Sequence, residues 1–196
     1  MVFAKRTACC AKAGYTLVEV LVVVVIMGIL SAMGVAGLQG AVANARVKDA
    51  AVNTAAFVER VANLSRQYSS PICLEIMTGK PHILYAIRSS GSDCAAANKK
   101  GGVVDSLIVD SPLKFVENGT SSCNAGVSGS MDLTKSENAV FKPQLGLSSA
   151  PPEGIVCVQY GDDTRYGVAW KRKTSNSVKA YWKIGSSSGD SGWNEL

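Results

Sequence analysis

The chain has 196 residues, of which 47% are hydrophobic and 18% are charged, and its formal net charge is +5. This size corresponds to one small domain with an additional apolar segment. Three of the positive charges, Lys5, Arg6 and Lys12, lie before residue 14. The rest of the chain is therefore close to neutral, and the basic balance does not argue for a nucleic-acid partner.

The first element is an apolar segment. Residues 20–38 contain no charged side chain, and Ser31 supplies their only hydroxyl group. A helix of this length, at about 1.5 Å per residue, nearly crosses the hydrocarbon core of a bilayer, which is about 30 Å thick. The positive charges before the segment predict that this end stays on the cytoplasmic side. We therefore predict a transmembrane helix at about residues 20–38.

Glu19 is a lone carboxylate at the start of this apolar segment, where an unpaired charge is costly. The next cation along the chain is Arg46, too far along the helix to be its partner. A cut after Gly14 would create a new α-amino group on Tyr15. That amine, in the same chain or in a neighbouring one, would give Glu19 an opposite charge.

Residues 14–19, with the sequence GYTLVE, resemble the class III signal of type IV prepilins and pseudopilins. The resemblance implies that a membrane-bound prepilin peptidase cuts after Gly14 and methylates the new N-terminal residue, Tyr15. It assigns Glu19 to assembly. The family usually has phenylalanine where Tyr15 stands, and both residues are aromatic. The partners implied are the peptidase, the inner membrane and other pilin or pseudopilin subunits.

An ordinary secretory signal peptide or signal anchor is the alternative interpretation. A small-residue exit is present at residues 34–36, of sequence GVA. However, secretory apolar regions rarely carry a glutamate and are usually only 7–15 residues long.

The helical pattern continues beyond the membrane edge. Residues 41–68 repeat apolar side chains at steps of three and four, which predicts an amphipathic helix. The Ser-Ser-Pro sequence at 69–71 ends it, so we expect one helix over residues 15–68, preceded by a leader at 1–14. Four glycines in residues 28–40 interrupt it, and either local softening or close packing of small residues would explain them.

After Pro71 the pattern changes to short β-like runs separated by turn residues. This predicts a β-rich head over residues 69–196 and an α+β fold, in which a long N-terminal helix packs on an antiparallel β-sheet or β-sandwich. The predicted strands are 72–77, 82–87, 103–109, 114–117, 139–142, 154–160, 166–172 and 178–184.

Residues 45–77 are also similar to the minor pseudopilin H and FimT-like group. This second resemblance implies a minor filament component, held in the inner membrane by one span before assembly and then placed in a periplasmic or extracellular filament. The filament would be a type IV pilus or the pseudopilus of a type II secretion machine. A DNA-uptake minor pilin is a further alternative.

Two of the six cysteines lie in the leader, and four remain. An even number of cysteines in an exported domain suggests two disulfides. We favour a pair of Cys94 with Cys123, both in polar loops, and a second pair of Cys73 with Cys157, both in strands.

The sequence offers little that could carry out catalysis. His82 is the only histidine, and no nucleophile or phosphate-binding motif accompanies it. We therefore expect a non-enzymatic protein with no catalytic residue, cofactor or metal. The acidic turn at 162–164, with Asp190 or Glu153, could offer oxygen ligands to calcium, but such turns are usually only solvated.

A basic and aromatic hairpin near the C-terminus contains the candidate DNA contacts Lys171, Arg172, Lys173 and Lys183. Such a surface can hold phosphates and stack bases. The DNA-uptake group carries a Gly-Arg-x-Arg tail motif, which this chain lacks. A solvated hairpin whose lysines discourage edge pairing is the simpler interpretation, so nucleic acid is not an expected partner.

Overall fold

A computed structural model describes residues 14–77, 79, 82–91, 94, 102–117, 123, 132–134, 140–143, 153–162, 164–171, 177–185 and 192–196. Its contacts divide the chain into two units. The first ends at Ala41, and the second is Val42–Leu196.

One helix, α1 (Leu17–Gln67), contains 51 residues. In the first unit its large apolar side chains are exposed; Val18, Ile29 and Met33 are examples. In the second unit one stripe of the helix is buried and includes Val47, Ala51 and Val58. The long helix and the change from uniformly apolar to amphipathic are as predicted.

The C-terminal end of α1 is fixed by a Schellman motif. Ser69 adopts a left-handed backbone conformation with φ of 46°. Its N–H donates to the carbonyl of Arg66 and the N–H of Ser70 donates to that of Ser65, both at 3.2 Å. These bonds satisfy carbonyls that the last helical turn leaves without partners. Pro71 follows, and the helix therefore ends where the Ser-Ser-Pro sequence predicted.

In the described part of the chain, nine strands follow the helix: β1 (Ile72–Ile76), β2 (Ile83–Arg88), β3 (Val103–Ile108), β4 (Leu113–Val116), β5 (Val140–Phe141), β6 (Gly154–Tyr160), β7 (Arg165–Lys171), β8 (Val178–Ile184) and β9 (Asn194–Glu195). They form a four-stranded sheet of order β3-β2-β1-β5 and a five-stranded sheet of order β4-β6-β7-β8-β9. All these strand pairs are antiparallel.

The eight predicted strands are all present, each with boundaries within one residue of the prediction. The α+β fold is confirmed. Strand β9 was missed, because Asn194 and Glu195 show no apolar alternation. It exists through pairing with β8, in which Glu195 lies opposite Tyr181.

A single hydrophobic cluster joins the buried stripe of α1 to both sheets. The four-stranded sheet contributes Leu74 and Leu84, and the five-stranded sheet contributes Phe115, Val158 and other side chains. Because strand side chains alternate between faces, each sheet turns one apolar set toward this core. Within the second unit, the helix and the two sheets therefore share one core.

The helix and β7 are in close contact at Gly167. A Cβ atom added there would lie 2.9 Å from the Cβ of Ala51 and 2.9 Å from the carbonyl oxygen of Val47. A hydrogen bond lies near this point, in which Arg165 Nε donates to Asn44 Oδ1 at 2.8 Å. Glycine is therefore needed here to let the backbones meet.

The predicted disulfide pairing is wrong. Cys73 is bonded to Cys94, and Cys123 is bonded to Cys157. Leu74 of β1 and Val158 of β6 face the shared core. Because side chains alternate along a strand, Cys73 and Cys157 lie on the outer faces of their two sheets, where they cannot meet. Each strand cysteine is instead bonded to a cysteine outside the strands. The Cα–Cα distances are 5.7 Å and 6.4 Å, within the usual range for disulfides.

Candidate functional site

Among the described residues, Gly14, Tyr15 and Thr16 precede α1 and lie outside it. The Thr16 side-chain oxygen accepts a hydrogen bond from the backbone N–H of Glu19 at 3.2 Å. The carbonyl of Thr16 accepts the first helical bond, from the N–H of Val20, at 3.2 Å. Thr16 is therefore the N-cap of the helix. Sequence reasoning missed this role, although the Thr-x-x-Glu spacing of a capping box was present.

Glu19 lies in the first turn of α1, and its side chain is exposed. A negative charge is favourable at this position because the helix dipole places partial positive charge at the N-terminus. Its carboxylate forms no hydrogen bond or ion pair with any other residue in the described part of the chain. This arrangement leaves the carboxylate available to a group outside the chain.

The apolar surface that follows Glu19 is continuous. Side chains such as Leu21, Ile26 and Leu30 each expose more than half of their surface. By length and composition α1 can cross a membrane. Exposure of an apolar surface of this extent to water is unfavourable, so lipid or other protein must cover it.

Two of the candidate DNA-contact lysines of the C-terminal hairpin, Lys171 and Lys183, lie on opposite faces of the sheet. Lys171 is 1% exposed and Lys183 is 2% exposed. Lys171 is opposite Val178, and Lys183 is opposite Tyr166. Side chains alternate along a strand, so Lys171 shares the helix-facing side of β7 with Gly167, while Lys183 shares the other side with Tyr166.

Each of these lysines is held within the protein. Burial lowers the pKa of the Lys171 ammonium, Arg66 lowers it further, and Glu59 acts in the opposite direction. The Lys183 ammonium lies 5.6 Å from the centre of the Trp193 ring. Neither lysine presents its charge to solvent, which argues against a shared phosphate-binding surface. Arg172 and Lys173 lie outside the described residues.

The acidic turn after β6 is occupied by an ion pair. Lys114 Nζ lies 2.7 Å from Asp162 Oδ1, and this hydrogen bond and the Lys114 charge hold the pKa of Asp162 below its ordinary value. Asp163 and Asp190 lie outside the described residues. Among the residues that the structure describes, no group of three or more acidic, cysteine or histidine side chains could hold a metal ion.

His82 is exposed and directly precedes β2. Its carbonyl accepts a hydrogen bond from the N–H of Val109 at 2.9 Å, which continues the pairing of β2 with β3. The residue's observed contact is therefore structural.

Residues 9–35 match the family model of the prokaryotic N-terminal methylation motif. The matched range contains Gly14, Tyr15, Thr16 and Glu19 together with most of the apolar segment. No curated protein and no solved structure was found to match the chain.

Proposed function

The chain is a type IV pilin-like or pseudopilin precursor of the kind processed by prepilin peptidase, and we propose that it serves as a minor structural subunit of a pilus or pseudopilus. The observation that carries this proposal is the exposed apolar surface of α1 over residues 20–38, which carry no charge and directly follow Glu19. The apolar helix anchors the chain in the membrane before assembly. In the filament, the helices of other subunits replace the lipid around it.

The exposed side of the amphipathic half supports lateral contacts between subunits. Val42, Ala45, Val52 and Ala56 are exposed on α1, at spacings typical of one helix face, and the exposed Asp49 lies on the same face. Small and β-branched side chains on such a face allow a second helix to approach closely.

We assign the cut to the Gly14–Tyr15 bond and the methylation to Tyr15. The cut removes three positive charges and creates the amine that can pair with Glu19. Removal of the leader would then switch the subunit from membrane storage to assembly. The exported head would face the periplasm first and would be part of a periplasmic or extracellular filament afterwards.

The minor role is supported by the resemblance of residues 45–77 to minor pseudopilin H and the FimT-like group. A head made of two antiparallel sheets is the architecture that this resemblance implies. The proposed subunit acts structurally and not as an enzyme. Both a type IV pilus and a type II secretion pseudopilus would use the same helix, leader and Glu19.

N-terminal mass spectrometry of the protein from membranes tests the assignment. We expect a chain that begins at Tyr15 and carries one additional methyl group. A Gly14→Val variant should keep its leader, because glycine is the residue that the signal requires before the cut. A mature chain beginning at residue 37, or an intact wild-type leader in cells with active peptidase, would contradict the proposal.

A further inference from the structure

The N-terminal boundary of α1 falls two residues after the proposed cleavage site. Gly14 and Tyr15 lie outside the helix, and α1 begins at Leu17. Thr16 holds this boundary with two hydrogen bonds, one from Glu19 N to its side chain and one from Val20 N to its carbonyl, each 3.2 Å long. The scissile peptide is therefore the last part of the chain before the capped helix.

We propose that Thr16 is a positioning residue for cleavage of the precursor. By capping α1, it keeps the Gly14–Tyr15 peptide out of the helix and available as extended chain. Proteases bind their substrates through the backbone groups of an extended segment, and a helix occupies those groups internally. The inference rests on the proposed cut after Gly14.

A cap is needed here because residue types on both sides favour helix. Ala11, Lys12 and Ala13 precede the boundary, and Leu17 follows it; all are strong helix formers. Compared with alanine, Gly14 lowers the equilibrium constant for forming helix at its position by only about fivefold. The Thr16 cap favours a helix that starts at residue 17 over a longer one by a similar factor. Loss of the cap would therefore let the helix extend toward the scissile bond.

The role of Thr16 is separable from that of Glu19. The capping bond uses the backbone N–H of Glu19, which any residue at that position supplies. Substitution of the Glu19 side chain therefore leaves the cap intact, and substitution of Thr16 leaves the Glu19 carboxylate intact. Processing and assembly can be tested with different variants.

The test is a cleavage assay with full-length precursor in detergent and purified prepilin peptidase. Thr16→Ala should raise KM, by at most about fivefold, and leave kcat near the wild-type value, because the variant lowers only the fraction of substrate in the cleavable conformation. Thr16→Ser and Thr16→Asn, which both cap helices well, should restore KM. Ser31→Ala, which removes a hydroxyl inside the same helix, is the matched control and should behave as wild type.

The outcomes are distinct. An unchanged KM for Thr16→Ala would overturn the inference. So would a loss of kcat without a change in KM, or a defect that Thr16→Ser and Thr16→Asn do not rescue, since either would indicate direct contact with the peptidase. If the wild-type precursor is not cut after Gly14, the proposed function fails first and the inference falls with it.

Discussion

Glu19 combines an exposed carboxylate with a position at the start of an apolar helix. Burial of an unpaired carboxylate among the helices of a filament would be costly. A cation must therefore meet it when the surrounding lipid is replaced by protein. In the proposed function, the new α-amino group of Tyr15, supplied by the same or a neighbouring subunit, would be this cation.

We predict that Glu19→Ala reduces incorporation into filaments by about tenfold or more, which corresponds to about 1.4 kcal/mol or more. Membrane insertion should be intact or improved, because the substitution removes a charge from the segment. The measurement is the ratio of sheared filament protein to membrane protein, with Glu19→Asp as the control that keeps the charge. Normal incorporation of Glu19→Ala would contradict the pairing with an amine.

Gly167 is the second residue whose identity is set by one contact. An added Cβ would lie 2.9 Å from a backbone oxygen of α1, and a backbone atom cannot move aside as the end of a flexible side chain can. Overpacking of this kind typically costs about 1–3 kcal/mol.

Gly167→Ala should therefore lower the midpoint of thermal unfolding by about 2–4 °C for each kcal/mol lost, measured on the full-length chain in detergent. Gly40→Ala is the matched control, because a Cβ at Gly40 would meet nothing within 4 Å and alanine favours helix. An unfolding midpoint equal to that of the wild type would show that α1 and β7 can separate at this point at little cost.

The two hairpin lysines show why burial could not be inferred from charge. Lysine is rarely buried fully, and the sequence therefore favoured solvated side chains for both Lys171 and Lys183. In the sheet, Lys171 lies on the side that packs on α1, and Lys183 lies on the side covered by Trp193. The alternation along each strand was visible in the sequence, but the elements that cover each face were not.

At the scale of elements, α1 is bounded at each end by local hydrogen bonds. Thr16 caps its start, and Ser69 and Ser70 close its end. Both ends depend on residues within one turn of the boundary, so both could be located from sequence. The pairing of strands, in contrast, joins residues distant in sequence, and the disulfides depend on it.

The disulfides link β1 and β6 to residues outside the strands, with sequence separations of 21 and 34 residues. Loops of this size correspond to a stabilisation of about 3–4 kcal/mol for each bond. Removal of Cys73 and Cys94 together, or of Cys123 and Cys157 together, should lower the unfolding midpoint on the order of 10 °C.

Non-reducing peptide mapping checks the connectivity directly. Cleavage after lysine and arginine separates all four cysteines, because Arg88, Lys100 and Lys135 lie between them in sequence. We expect one linked pair of peptides containing Cys73 and Cys94, and a second containing the other two. Recovery of Cys73 linked to Cys157 would contradict the placement of these two cysteines in separate clusters.

At the scale of the whole molecule, the two units have different surfaces. The first unit exposes apolar side chains along a helix, whereas the second has a buried core of helix and sheets. A chain with this division is suited to anchoring in a membrane through the first unit, with the second unit folded outside the membrane. Major and minor subunits can both have this division. The copy number of the chain in the filament is the measurement that distinguishes a major from a minor subunit.

A minor subunit should be scarce in the filament. We predict that quantitative mass spectrometry of sheared filaments from the native host finds this chain in much smaller amount than the most abundant subunit. Glu19→Asp provides a control for assembly competence. A chain that dominates the sheared fraction would be a major pilin and would contradict the minor role.

The sequence by itself determined the N-terminal motif, the extent of α1 and the positions of eight strands. These features depend on residue type, on periodicity and on signals within a few positions, and all of them are local. The α+β fold and its membrane anchor follow from the same local patterns. Gly14, Tyr15 and Glu19 were identified because charge, glycine, an aromatic residue and glutamate occur together beside one apolar run.

Only the tertiary structure decided which cysteines are bonded, which faces Lys171 and Lys183 occupy, and why Gly167 must be glycine. Each of these depends on which strand joins which sheet and on what packs against it. Sequence spacing places Cys73 and Cys157 in strands, but their separation into two sheets arises from long-range pairing. The physical reason is that contacts between segments distant in sequence set the strand order. The energies of these contacts cannot be inferred from a local sequence pattern.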